Sequence, residues 1–469
     1  MAHLWHRLWS VISTILVAPF LLPIVLVYRI AISTLLLRGP SATAPKASPD
    51  DFARSEYLFL LGGILVQENS IIGILRGLTT GQASSSTSDP LSLGLSSATL
   101  IGTFVYCGRH RAAIFLALSR NLLLLPLPLL NILSTAWSMD PATTLKRGIL
   151  TAGALLFWLY CAVRLTPSQA LGLLSKTVIF AAWASLFVAL ALPNFGRELG
   201  ADMAGEWRGI FTHKNALGQF MSMGVDILMF QMILARKVTR AGIIHICLCI
   251  LLMELSKSTT SLVSSVIAAV GGSTYLLALR GADGRLLIGG AVLTGLLLLG
   301  IITLIDPAAP FALLGKDTTL TGRTELWEYV NELIHERPYL GWGYKAMWSP
   351  DANETTYIWN QIKWDAPEAH NGYLEVGLSL GRAGWFALAV MLGACILRAF
   401  RCLETRNWLL ATMLCTFVAQ QLFINLTESV FNDTTAFGWA LTMFIAFYAG
   451  YTLPPTKTWN RIRRSNHVS

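Results

Sequence analysis

Apolar runs of roughly 15 to 23 residues recur along most of this chain. Nothing in it constrains the fold more, because about 20 consecutive apolar residues make an α-helix long enough to cross a bilayer. The runs lie at residues 57–77, 92–107, 121–136, 147–163, 177–193, 215–234, 243–256, 261–279, 286–305, 372–397, 408–424 and 436–453. They predict an all-α polytopic membrane protein with about twelve transmembrane helices, since a helix satisfies its own backbone inside lipid. Composition agrees: of 469 residues, 54% are hydrophobic and only 13% charged, which no ordinary soluble domain shows. One more run, Val11 to Tyr28, is interrupted by Pro19 and Pro23 and followed by Arg29, Arg38 and Arg54. It reads as an extra N-terminal membrane segment, whether a span, a hairpin or an interfacial helix. No small-x-small site closes it as a cleaved signal peptide would require.

The resulting organisation is an N-terminal extension (1–56), transmembrane helices (57–305), one large polar loop (306–371), further transmembrane helices (372–453) and a basic tail (454–469). Lysine and arginine bias orients it. The segments "CGRHR" (107–111), "ARKVTR" (235–240), "RGADGR" (280–285), "RAFRCLETR" (398–406) and the tail "KTWNRIRR" share one side, expected to be cytoplasmic. The positive net charge of +9 is thus largely a topology signal, and no nucleic-acid partner is needed to explain it. The opposite side carries residues 137–146, 194–214 and 306–371. In the last, "TGRTELWEYVNELIHERP" predicts an amphipathic helix with Leu326, Val330 and Leu333 on one stripe, Thr321 or Thr324 as cap and Pro338 as stop. The seven cysteines lie in spans or short loops and imply no disulfide framework.

Several cations fall on the outer side, against the charge bias: Lys146 and Arg147, then Arg208, His213 and Lys214, then Arg323. Each is read as standing at a helix N-terminus, where the backbone dipole favours acids. Either they surround a bound anion such as phosphate, or they face acidic lipid headgroups. His370, with Glu368 and Asn371 beside it at the end of the long loop, is either an interfacial imidazole or a group that moves a proton. There is no GxxxxGK[ST] loop and no outer Asp-x-Asp pair, so neither a nucleotide triphosphate nor a metal-clamped phosphate is expected, and no cofactor.

Five segments in order, "STAWSMDPATTLKRG" (134–148), "GEWRGIFTHKNALGQ" (205–219), "TGRTELWEYVNELIHERPYLGWGY" (321–344), "EAHNGYLEVGLSLGRAG" (368–384) and "NLTES" (425–429), resemble the bacterial O-antigen ligase and polysaccharide polymerase superfamily (Wzy/WaaL/ExoQ type), in its exopolysaccharide polymerase branch. The resemblance runs from about residue 57 to 453. It implies a GT-C-like membrane glycosyltransferase of the bacterial inner membrane, its large loop and active site facing the periplasm. Donor and acceptor would be polyprenyl-pyrophosphate-linked oligosaccharides, handled without a metal. Arg208 and Arg323 match the arginines thought to hold the pyrophosphate, and His370 the histidine thought to activate the acceptor hydroxyl. This chain departs from its relatives at Arg382, inside a span, where it would either add a phosphate contact or pair with Glu375.

The mechanism expected is a single inverting displacement. Arg208 and Arg323, supported by Lys146, Arg147 and Lys214, would neutralise the leaving group, while His370, tuned by Glu368, takes the proton. Trp207, Trp327, Trp342, Tyr344 and Trp348 are either sugar-stacking platforms or interfacial aromatics. Ligation of finished glycan to lipid A core or protein is the alternative within the enzyme class. Transport or flipping is the alternative outside it, with Glu68, Asp226, Glu254 and Arg382 as cavity candidates. A chain-length regulator or export machinery would be a further partner.

Overall fold

The computed structural model describes residues 54–80, 90–199, 205–278, 323–349, 352–433 and 436–453. The N-terminal run at 11–28, the span at 286–305, Thr321 and the basic tail lie outside the described residues. The helices of eight or more residues are α1 (Arg54–Gln67), α2 (Ser70–Thr80), α3 (Pro90–Arg109), α4 (Arg111–Arg120), α5 (Pro126–Leu133), α6 (Pro141–Arg164), α7 (Pro167–Ala191), α8 (Lys214–Ala235), α9 (Arg240–Leu255), α10 (Thr259–Ala278), α11 (Arg323–Glu336), α12 (Asn353–Ile362), α13 (Gly372–Glu404), α14 (Trp408–Ile424) and α15 (Phe437–Thr452). Among the described residues there is no strand, only an isolated bridge between Arg197 and Trp207.

Among the described residues five helices, α3, α6, α7, α8 and α13, are long and apolar enough to cross a membrane. Phe104, Phe115, Phe187 and Phe386 point outward, 60–75% exposed, a surface suited to hydrocarbon rather than water. The chain is a multi-pass membrane protein. Helix α6 packs on α15, α3 and α5, α8 on α7, α9 and α10, and α14 on α10 and α13, around one continuous apolar core that includes Phe157, Trp158, Phe230, Phe417 and Trp439.

The structure departs from the sequence reading in four places. The span expected at 57–77 is two helices, broken at Glu68 and Asn69, with Asn69 at φ 58°. The span expected at 121–136 holds only the eight-residue α5 flanked by 3-10 turns; Pro126 and Pro128 supply no N–H to a longer helix. Residues 111–120, which fall between two of the predicted runs, form α4, which packs on α6 and α15. Thr324 lies inside α11 and does not cap it.

A second, smaller core sits apart from the bundle. Leu326, Val330 and Leu333 of α11 bury their predicted stripe against Trp342, Met347, Trp348, Ile358 and Ala369. Helix α13 holds this unit to the bundle by giving up part of its own hydrogen-bond ladder. At Gly381 the helix kinks (φ 60°, ψ −152°). Arg382 and Ala383 then donate their N–H groups to Pro338 and Tyr339, while the freed carbonyls of Leu378 and Ser379 accept from Trp342 and Gly343. A Cβ on Gly381 would come within 2.5 Å of the Tyr339 carbonyl carbon, so only glycine admits this approach.

Candidate functional site

His370 is the residue before the N-terminal cap of α13. It adopts φ 48°, a left-handed conformation that side chains other than glycine occupy at some cost. Its neighbours fix it there. Ala369 donates its N–H to Glu375 (3.0 Å) and accepts from the Trp327 indole (2.9 Å). Asn371 donates its N–H to Ser429 Oγ (3.1 Å) and caps α13 by accepting from Tyr373 and Leu374. Gly372 follows because the chain there runs against Asn425: the two share a backbone bond of 2.9 Å, and a Cβ at 372 would lie 1.8 Å from Asn425 Oδ1. The "HNG" and "NLTES" segments therefore interlock.

Glu428, which the sequence reading did not single out, is the hub of this cluster. Its Oε1 accepts from Asn215 Nδ2 (2.8 Å) and from the Arg323 guanidinium (3.2 Å), which also donates to the Thr427 carbonyl. Its Oε2 faces His370 Nδ1 at 3.6 Å, and Glu368 Oε1 faces the same nitrogen at 3.6 Å. Both distances are just beyond hydrogen-bond reach, so the attraction is one of charge. Trp364 packs on the imidazole, ring centroids 5.7 Å apart.

The charges pull the protons in opposite directions. Burial works against the charge of His370, yet Glu428 and Glu368 raise its pKa above the usual histidine value. Burial also opposes ionisation of Glu428, but His370 and Arg323 hold its carboxyl below the usual range. At Glu368 burial wins over His370 and Lys345, and its pKa is pushed up to about 7. Glu368 and His370 thus form a pair able to exchange a proton near neutral pH.

A second set of charges adjoins the first through α8. His213 caps that helix, Nδ1 accepting from the Asn215 N–H (3.2 Å). Burial lowers its pKa, which suits a capping acceptor. The next residue, Lys214, donates its N–H to Glu198 (2.9 Å) and pairs through Nζ with Glu206 at 2.5 Å. Arg208 lies in the irregular segment before α8, not at a helix N-terminus. It donates Nε–H to the Phe195 carbonyl (2.9 Å) and pairs with Glu198 at 3.6 Å. Lys345, also missed from sequence, pairs with Asp433 at 2.7 Å, and the carboxylates around it raise its pKa despite burial.

Of the residues expected at the site, the structure gathers Arg208, His213, Lys214, Arg323, Glu368, His370 and Asn371 at one end of the bundle. Lys146 and Arg147 fall in the second turn of α6, whose N-terminus is instead served by Asp140, accepting from the Thr143 N–H (3.0 Å). Lys146 is exposed and takes no part in these contacts. Arg147 lies near Tyr344, whose phenol burial pushes up to about 12 against the charges of Lys345 and Arg147. Arg382 meets neither expectation. It is exposed and stacks over the Tyr339 ring at 5.1 Å, while Glu375 accepts from the Trp348 indole (2.9 Å) and the Ala369 N–H. The aromatics are framework: Trp327, Trp342 and Trp348 donate their indole N–H groups, and Tyr344 its hydroxyl, inside the protein. Trp207 is covered by the Arg197 guanidinium.

The cations are therefore balanced by carboxylates, which the sequence reading overlooked. Ligand atoms of Glu368, His370 and Glu428 lie within 4.8 Å of one another, a spacing that could hold a divalent ion. Here Arg323 already stands against Glu428, and Glu368 accepts the Ser429 N–H (3.3 Å). A guanidinium has five N–H donors, so Arg323 and Arg208 retain donors for an incoming anion beyond the contacts just named.

A family model described as O-antigen ligase matches residues 242–389 of the chain, a stretch that includes Arg323, Lys345, Glu368 and His370. The exopolysaccharide production protein ExoQ of Rhizobium meliloti (strain 1021) is 27% identical over 271 residues, which cover 55% of this chain and 60% of that protein. The chain thus matches less than two thirds of that relative's length.

Proposed function

These two matches support placing the chain in the O-antigen ligase and polysaccharide polymerase superfamily, on its exopolysaccharide side, and from that premise we propose that it joins lipid-linked oligosaccharides into polysaccharide. Donor and acceptor are polyprenyl-pyrophosphate-linked repeat units, presented at the periplasmic face of the bacterial inner membrane. The observation that carries this reading is the meeting of Arg323, Glu428, Glu368 and His370, drawn from three distant segments.

In the proposed step a hydroxyl oxygen of one glycan attacks the anomeric carbon of the other. The bond from that carbon to the pyrophosphate oxygen breaks, and its electron pair leaves with the polyprenyl pyrophosphate. Attack opposite the leaving group inverts the anomeric centre. Arg323 and Arg208 offer their remaining N–H donors to the growing negative charge, where electrostatic stabilisation is strongest in a partly dry site. The hydroxyl proton goes to His370. With Nδ1 turned towards Glu368 and Glu428, a proton held there leaves Nε2 as the base. The two arginines supply the charge that a metal supplies elsewhere, so the step is written without one.

The family model's description as O-antigen ligase favours a second reading, in which the acceptor is lipid A core. One experiment decides: purified protein is given lipid-linked repeat units from the host, with and without lipid A core, and the products are sized by gel and mass spectrometry. A ladder growing by whole repeats without lipid A core is the expected result. Transfer only when lipid A core is present would replace polymerase by ligase, and intact donor in every sample would contradict both.

A further inference from the structure

Beside the site lies a cavity of about 80 Å³, enough for about three water molecules at their share of liquid volume. Exposed Thr212 marks its mouth, and Ala216, Ile424 and Val430 join it to the site, being chain neighbours of Asn215, Asn425 and Ser429. Its floor is polar. Glu68 is 2% exposed and accepts from Thr177 Oγ1 through one carboxyl oxygen (2.7 Å), while the other oxygen has no partner. Gln421 is fully buried, and neither its amide oxygen nor its amide nitrogen is hydrogen-bonded. Buried polar atoms are seldom left so. One wall is aromatic: Phe211, Phe220 and Phe437 stack in series, centroids 5.0 and 5.1 Å apart.

The backbone around the cavity is shaped to keep it. The break between α1 and α2 places Glu68 at its wall, and non-helical backbone at membrane depth persists where it is buried in protein or lines a cavity. Gly438 leaves room for the Gln421 side chain: a Cβ there would come 2.5 Å from Nε2.

We propose that this cavity is a sugar subsite, receiving the hydroxyl-bearing edge of one ring of the lipid-linked glycan. Gln421 and Glu68 bond its hydroxyls, and the phenylalanines cover its C–H face. An amide offering both donor and acceptor, a carboxyl group and an aromatic wall match the mixed surface of a sugar, and the volume excludes more than part of one ring. The inference rests on the proposed function for the identity of the glycan, but not for the presence of the subsite.

The test uses the full chain in lipid nanodiscs. Gln421→Leu removes both unpaired amide atoms at similar volume, and Gly438→Ala intrudes on the cavity without removing them. With lipid-linked repeat units, both variants are expected to raise KM about tenfold or more at nearly unchanged kcat, the signature of lost uniform binding. Gln421→Leu should also raise Tm, since it removes a buried unpaired amide, whereas a purely structural glutamine would lower it. Separately, methyl glucoside and methyl galactoside are added while amide exchange is followed across residues 66–73. Slower exchange with either glycoside in wild type, absent in Gln421→Leu, is expected. Unchanged KM in both variants, or exchange unaffected by both glycosides, would overturn the subsite and leave a hydrated packing defect. If wild type consumes no lipid-linked donor, the proposed reaction falls, yet the glycoside readout still decides the subsite.

Discussion

Helix α6 ends in a cluster of nearly the same side chains as those around Glu428, arranged to opposite effect. Beyond its C-terminal end, Glu56 receives both Nε and Nη2 of Arg164, at 2.7 and 3.1 Å, with the Tyr160 hydroxyl on the same carboxylate and His110 at 3.9 Å. Where the N-terminal ends of α8, α11 and α13 meet, Glu428 divides itself between Arg323, Asn215 and His370. Each cluster has a glutamate, an arginine and a histidine. The first is bidentate, its carboxylate closed on one arginine. The second shares its carboxylate among three distant segments and holds its histidine in a left-handed conformation. The lock and the proposed site differ in how the carboxylate is shared, not in residue type.

Breaking the histidines gives the largest contrast. His370→Ala is expected to lower kcat by about 10² to 10⁴, the range for a lost general base, while His110→Ala leaves kcat within about twofold; both are read by lipid-linked product formation. The arginines come next. Arg323→Ala should lower kcat by about 10² to 10³. Arg164→Ala should spare turnover but destabilise the fold by about 1–3 kcal/mol, because the buried Glu56 carboxylate loses its charged partner, a change seen by thermal unfolding in detergent.

The pH profile sharpens the comparison further. Glu428 and Glu368 raise the pKa of His370, and a base works only when unprotonated. The rate should therefore fall as pH drops through this raised value. Glu428→Gln removes one of those negative charges, so the acid limb should move to lower pH by about one unit. Movement to higher pH would contradict the assignment. The smallest effect is expected at Arg382→Ala: less than twofold in kcat and in KM, since that side chain stacks on Tyr339 outside the cluster.

Much of this was legible in the sequence, for physical reasons that also mark its limits. Helix α14 lies where its apolar run lies, and α11 buries the stripe its periodicity predicts, because burial periodicity is local. The break at Glu68 and Asn69 is marked in the sequence only by the four polar residues 67–70 inside an otherwise apolar run, too short an interruption to be told from a polar patch on one span. Arg323 and His370 were found as outer-side charges and through the resemblance. Glu198, Lys345, Glu428 and Asp433 were not, because a carboxylate's partner depends on which loops meet in space. Glu428 stood inside a quoted motif, and the long loop 306–371 holds more acids than cations, itself a signal that the cations there have carboxylate partners.

The central claim is that chemistry belongs to the Glu428 cluster and stability to the Glu56 cluster. Its most direct measurement is the single-turnover rate of donor consumption for wild type, His370→Ala and His110→Ala at matched amounts of folded protein. Only His370→Ala is expected to slow, by at least about a hundredfold. Equal rates for all three, or a slowing confined to His110→Ala, would contradict it.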